Sequence, residues 1–258
     1  MKLRYSAWLL CGAFSVAYAQ SDERVEPSTP ERTTHFTVSA HGDALDKGYD
    51  DWRGMRLELG NETRGRIGGH VAVFDEQRFG TTDRGIELSA SVPFGKGWVW
   101  VPTVSLAPDA DFLARTAVDM DLYKELGQGW VASGGIGHSR YRDANVNRVK
   151  AGVERYVGAW RIGYQAIASQ VHGRSGVAHD LRVARSYADT SEVGIQFNAG
   201  REPTVIAQGI VNADVKGVGL FGHHAFNPAW TLWWNVGTTR QGDFYTRRGA
   251  GVGLQYRY

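Results

Sequence analysis

From His35 to Tyr258 apolar and polar residues alternate, and the alternation breaks mainly at Gly, Asp, Asn and Pro. Neighbouring side chains of a strand point to opposite faces, so a period of two marks strands with one apolar and one polar face. Fourteen such segments are predicted, at 34–41, 52–60, 64–75, 84–92, 98–107, 113–123, 130–139, 147–156, 159–169, 178–187, 191–200, 211–225, 230–240 and 246–258. Most have the roughly 9 to 11 residues that a tilted strand needs to cross a bilayer. The stretch GAGVGLQYRY keeps the pattern to Tyr258, with Ala250, Val252, Leu254 and Tyr256 on one line and Gly251, Gly253, Gln255 and Arg257 on the other. Unpaired ends fray, so this strand is expected to close a sheet by pairing with the segment near HFTVSA.

A soluble sandwich also alternates; the placement of the aromatic residues separates it from a membrane barrel. Trp98, Trp130, Trp160 and Trp230 each open a segment, while Tyr123, Tyr156, Tyr187 and Phe226 stand near segment ends. With the N-terminus in the periplasm, all of them fall on the periplasmic rim together with Tyr258, as an interfacial girdle. Short turns on that rim, such as Val157-Gly158, contrast with GDALDKGYDD, DEQRFGTTD, YRDAN and QVHGRSGV at the other end, which are expected to be the longer external loops. The fold class is therefore all-β, a transmembrane antiparallel β-barrel of fourteen strands, or twelve, in the outer membrane of a Gram-negative bacterium.

The N-terminus supports that location. Lys2 and Arg4 precede the apolar stretch YSAWLLCGAFSVA, and Ala17-Tyr18-Ala19 precedes Gln20. This is the order of a secretory signal peptide over residues 1–19, cleaved between Ala19 and Gln20. Cys11, the one cysteine, lies inside it, and bulky Leu10 before it argues against a lipid anchor. Residues 20–33 are polar and read as a flexible periplasmic lead, leaving 34–258 for the barrel. The chain has 29 Lys and Arg against 27 Asp and Glu; with Lys2 and Arg4 set aside the balance is even, which gives no electrostatic case for nucleic acid. The 33 glycines and 12% aromatic residues favour strands and turns over helices.

Several stretches resemble the YaiO-like family of outer-membrane β-barrels: FNAGRE at 197–202, VKGVGLFGHHAFNPAWTLWW at 215–234, TRQGDFYTRRGAGVGLQYRY at 239–258 and DKGYDDWRGMRLELG at 46–60. The resemblance implies an outer-membrane barrel associated with exopolysaccharide systems and carries over no catalytic residues. It implies a channel or accessory factor in envelope exopolysaccharide export. The alternatives are a general diffusion porin, a closed structural barrel and a lipid-modifying enzyme.

The residues themselves argue against catalysis. His138-Ser139 and His223-His224 are sequence neighbours, so their side chains point to opposite faces and form neither a nucleophile pair nor a metal pair. GxGxG at Gly249, Gly251 and Gly253 has no helix after it and reads as small lumen-facing residues, not a nucleotide loop. No cofactor and no metal are expected. The candidate functional surface is the lumen-facing line: Arg56, Glu58, Glu87, Asp119, Lys150, Glu154, Arg161, Gln165, Trp233, Asn235, Gln255 and Arg257. Tyr258 and Tyr256 are the candidate assembly signal. Expected partners are outer-membrane lipid and lipopolysaccharide, the barrel-assembly machinery, a polysaccharide and periplasmic export components.

Overall fold

A computed structural model describes residues 32–258 apart from residues 64, 189, 207 and 208. The signal peptide, the cleavage site at Ala19 and Gln20, and the lead up to residue 31 lie outside the described residues. The strands are β1 (Arg32–Leu45), β2 (Trp52–Thr63), β3 (Gly68–Arg78), β4 (Thr81–Phe94), β5 (Trp98–Leu106), β6 (Thr116–Gly127), β7 (Trp130–Arg140), β8 (Asn145–Val157), β9 (Trp160–Val171), β10 (Arg174–Ala188), β11 (Ser191–Ile206), β12 (Gly209–Ala225), β13 (Trp230–Gln241) and β14 (Tyr245–Arg257). Each pairs antiparallel with the next, and β14 pairs with β1, so the fourteen strands form a closed barrel. Closure leaves no sheet edge, which a bilayer core demands because it offers no water to satisfy free backbone groups. At the seam Thr34 and Tyr258 exchange both backbone hydrogen bonds, at 3.2 and 2.9 Å. The first strand thus starts two residues earlier than the alternation suggests, with Arg32 and Thr33 paired to Thr63 and Glu62.

The registers carry one line of side chains around the whole outside. Phe36 and Val38 on β1 face Tyr256 and Leu254 on β14, which face Trp230 and Leu232 on β13. Leu57, Val73, Ile86, Leu88, Ile136, Val149, Leu220 and Val252 continue this exposed apolar surface. Along the strands the outward line turns charged toward the end away from Tyr258, with Arg84 bonded to Asp75 at 2.8 Å and Arg201 to Asp214 at 2.9 Å. An apolar band with a charged upper border fits the hydrocarbon layer of roughly 25 Å that barrels of this type span.

Two expectations need correction. Tyr123 and Tyr156 stand at the periplasmic end but face inward: Tyr156 donates its hydroxyl to Glu154 at 2.8 Å, and Tyr123 is paired to Val99 and Ser133 on the inward line. A register shift between Glu125 and Gly127 lets Trp130 face outward although it follows a strand that ends on the other parity. The external segments DEQRFGTTD and QVHGRSGV are strand rather than loop. They turn at Phe79-Gly80 and His172-Gly173, where both residues have positive φ (52° and 76°, 45° and 81°), as the I′ hairpin requires. The sequence pattern marks where a strand lies in lipid; above the bilayer both faces become polar, the alternation fades and the pairing continues.

Candidate functional site: the barrel lumen

On the concave side, side chains two strands apart can meet, and here they do. Arg56 on β2 lies 2.7 Å from Glu87 on β4 and 3.0 Å from Glu58 on its own strand. Glu87 also accepts from Ser105 at 3.0 Å and lies 3.2 Å from His70, while His35 approaches Glu58 at 3.5 Å. On the adjoining wall Lys150 on β8 bridges Asp119 at 3.1 Å and Asp121 at 2.8 Å on β6, and Arg148 meets Asp119 at 2.9 Å. The strand between them explains why they reach. Gly137 is registered with both Asp119 and Arg148, and Gly135 with both Asp121 and Lys150. A Cβ at Gly137 would press on the Asp119 carboxylate and the Arg148 guanidinium, and one at Gly135 would collide with Asp121. The glycines of SGGIG are the low ground over which these pairs join.

Further round, Arg161 on β9 pairs with Glu192 on β11 at 2.6 Å and approaches Glu154 at 3.9 Å. Arg182 holds Asp180 at 2.7 Å, and Gln196 donates to the same carboxylate. Near the periplasmic end the rings of His223 and Trp233 lie 4.5 Å apart, with Trp233 registered opposite Gly253. Gln255 donates to Thr37, and Arg257 is registered with His35. By register Gln165 shares the inward line with Gly152 and Asp180. Asn235 also lies on this line and is exposed. The structure therefore draws Arg56, Glu58 and Glu87 into one cluster, Asp119 and Lys150 into a second, and Glu154 and Arg161 into a third. Trp233, Asn235, Gln255 and Arg257 lie on the β13–β14–β1 wall, which meets the third cluster at His223, registered with both Glu192 and Trp233.

The outer mouth carries residues that the sequence reading did not single out. Asp83 accepts backbone hydrogen bonds from Asp111, Phe112 and Leu113 at 2.8 to 2.9 Å, which folds the β5–β6 connection inward. Arg78 sits over the rings of Trp52 at 4.7 Å and Phe112 at 5.3 Å, and Arg247 lies over Trp52 at 5.4 Å. Trp52 and Tyr245 are almost fully buried and meet edge to face at 5.8 Å. The long β11–β12 hairpin leans across the opening: Ile210 packs on Ala144, Val146 and Val171, and Asn212 donates to the Ser175 carbonyl at 3.1 Å. On that hairpin, above the charged border of the lipid band, Glu202 is 3% exposed and its Oε1 has no hydrogen-bond partner among the described residues. Burial pushes its carboxyl up to about 7, against the opposing pull of Arg247. Mouth residues leave a faint sequence signal: Trp52 and Tyr245 are aromatics at the wrong end for the periplasmic girdle.

The sequence neighbours His138 and Ser139 part as geometry requires. His138 bonds Asn147 at 2.7 Å on the outside, while Ser139 is buried within. His223 faces the lumen against Trp233, and His224 stacks outside on Tyr187. Among the described residues no group of His, Cys, Asp and Glu could hold a metal ion.

A closed antiparallel barrel with a lipid-facing apolar band and a charged interior defines an outer-membrane β-barrel protein. The model of the YaiO membrane beta barrel domain matches residues 33–204, and the chain belongs to that family. The match includes DKGYDDWRGMRLELG and FNAGRE but not the two stretches at 215–234 and 239–258. Among solved structures, the chain is similar to a bacterial polysaccharide outer membrane secretin (TM-score 0.55, 11% identity, 90% of this chain and 100% of that one). It is similar also to Omp33 of Acinetobacter baumannii (0.54, 12%, 88% and 99%) and to Salmonella typhi OmpF in complex with daunomycin (0.53, 8%, 89% and 98%). At such identities the likeness is one of fold. A search for curated relatives returned no match. Family and fold together place the protein in the outer membrane of a Gram-negative bacterium.

Proposed function

We propose that the barrel is a channel or accessory factor for an envelope exopolysaccharide, acting with periplasmic export components. The observation that carries this reading is the lumen wall at β12–β13. There an aromatic plane, Trp233, lies against His223 and shares its strand face with the exposed amide of Asn235. Sugars present hydroxyl edges and weakly apolar C–H faces, and such a wall offers partners for both. Tyr258, 66% exposed and stacked on Tyr256 at 6.0 Å, is available to the assembly machinery at the periplasmic rim. In planar bilayers the protein is expected to carry ion current that a soluble oligosaccharide partly blocks. Trp233→Ala should weaken the block and leave the open current equal or larger. Current that no oligosaccharide blocks would point to a general diffusion porin. The packed outer mouth supports a second reading, a barrel shut at its outer end, for which the expected result is no current and no oligosaccharide binding by calorimetry.

A further inference from the structure

Three hairpins at the periplasmic rim repeat one device on the lipid-facing side. Lys124 is registered opposite Trp98, Arg155 opposite Trp130 and Arg185 opposite Trp160. In each, the cation lies over the indole, at 5.0, 4.9 and 5.7 Å from the ring centre. The row of cations thus stands at headgroup depth, held by the interfacial tryptophans. Among the described residues none of its members is paired with a carboxylate: Lys124 donates to the Lys96 carbonyl at 2.7 Å, and Arg155 Nη1, shielded from water, meets no hydrogen-bond partner among them.

Directly above Lys124 the lipid-facing wall is indented. Ala132 and Gly134 on β7 are small, and Trp100, Met120, Leu122 and Ile136 rise around them, leaving a mainly apolar groove of about 900 Å³. Lys124 is registered with Ala132, at the foot of this groove, and Arg155 stands on the other flank of β7. An apolar trough with one cation at its foot and a second across β7, both at the membrane interface, has the chemistry of one ligand class. We infer that the β5–β8 face binds an anionic glycerophospholipid of the periplasmic leaflet, an acyl chain lying over Ala132 and Gly134 and the phosphate held by Lys124 and Arg155.

The two halves of the site can be tested separately by native mass spectrometry on folded barrels titrated with phosphatidylglycerol or phosphatidylcholine in detergent. The wild-type protein should retain phosphatidylglycerol at least severalfold better. The pair Lys124→Gln and Arg155→Gln should abolish that preference. Gly134→Leu, which fills the groove, should lower retention of both lipids. Arg53→Gln, an outward cation at the opposite border, should change nothing. Heat-modifiable mobility on gels confirms that each variant is folded. Equal retention of the two lipids by the wild type, or an Arg53→Gln effect as large as that of the double variant, overturns the site in favour of unspecific annular lipid.

Discussion

Glu202 is a carboxyl group held where its charge is unwelcome. Its raised proton affinity means that the folded hairpin binds the proton more tightly than the unfolded chain, whose carboxyl titrates near its ordinary 4.5. The stabilisation is therefore full below about 4.5 and declines as the pH rises to about 7, above which the hairpin keeps its apolar seat and the Asn212 hydrogen bond. Protection factors of the β11 and β12 amides, with the base-catalysed intrinsic exchange rate divided out, should fall across that window, and Glu202→Gln, which stays neutral, should flatten their pH profile. A wild-type profile already flat between these pH values would remove Glu202 from the docking of the hairpin. At the same scale, Trp233 and Asn235 show how much a single position depends on parity: each shares the inward line of β13, next to the outward Trp234 and Val236.

At the scale of elements, β7 joins its neighbours by what it lacks. Its inward line passes Gly135 and Gly137, and over them β6 and β8 exchange three ion pairs. These groups are mostly shielded, so separating them leaves charges with poorer solvation than in water. Gly137→Val should push Arg148 off Asp119 and cost roughly 1–3 kcal/mol, the usual penalty for leaving such groups unsatisfied. The denaturant midpoint of the barrel folded in liposomes reads this loss, and His138→Val on the outward face of the same strand should leave the midpoint near that of the wild type. SGGIG reads in sequence as a weak strand. Its purpose appears only when Asp119, Asp121, Arg148 and Lys150 are brought beside it.

At the scale of the whole molecule, the two ends of the barrel differ. The periplasmic end is finished by short turns and interfacial rings, including Trp230 on Tyr256 at 4.7 Å. The outer end is covered by the β5–β6 connection pinned on Asp83 and by the β11–β12 hairpin resting on Val146 and Val171. If that hairpin sets the conductance, Ile210→Asp should raise single-channel current, since a carboxylate does not stay on an apolar seat. Current unchanged from the wild type would place the constriction lower, among the charge clusters.

Local pattern by itself determined the class of architecture, with the strand count left at fourteen or twelve until the closed sheet counted fourteen. A period of two over fourteen segments, rings at one end and a closing strand through Leu254 and Tyr256 specify a membrane barrel and assign Arg56, Asp119 or Trp233 to its inner line, because parity along a strand is a local property. Local pattern does not say which inner residues meet. Arg56 finds Glu87 and Arg161 finds Glu192 across an intervening strand, at distances set by register and by the curvature of a closed sheet. Nor does it show that the β11–β12 hairpin folds over the mouth and buries Glu202, since that depends on an apolar seat for Ile210 supplied by Ala144, Val146 and Val171, far back in the chain. The lipid-facing groove at Gly134 likewise exists only relative to the larger side chains of neighbouring strands. Strand parity is written residue by residue; contacts across strands belong to the closed barrel.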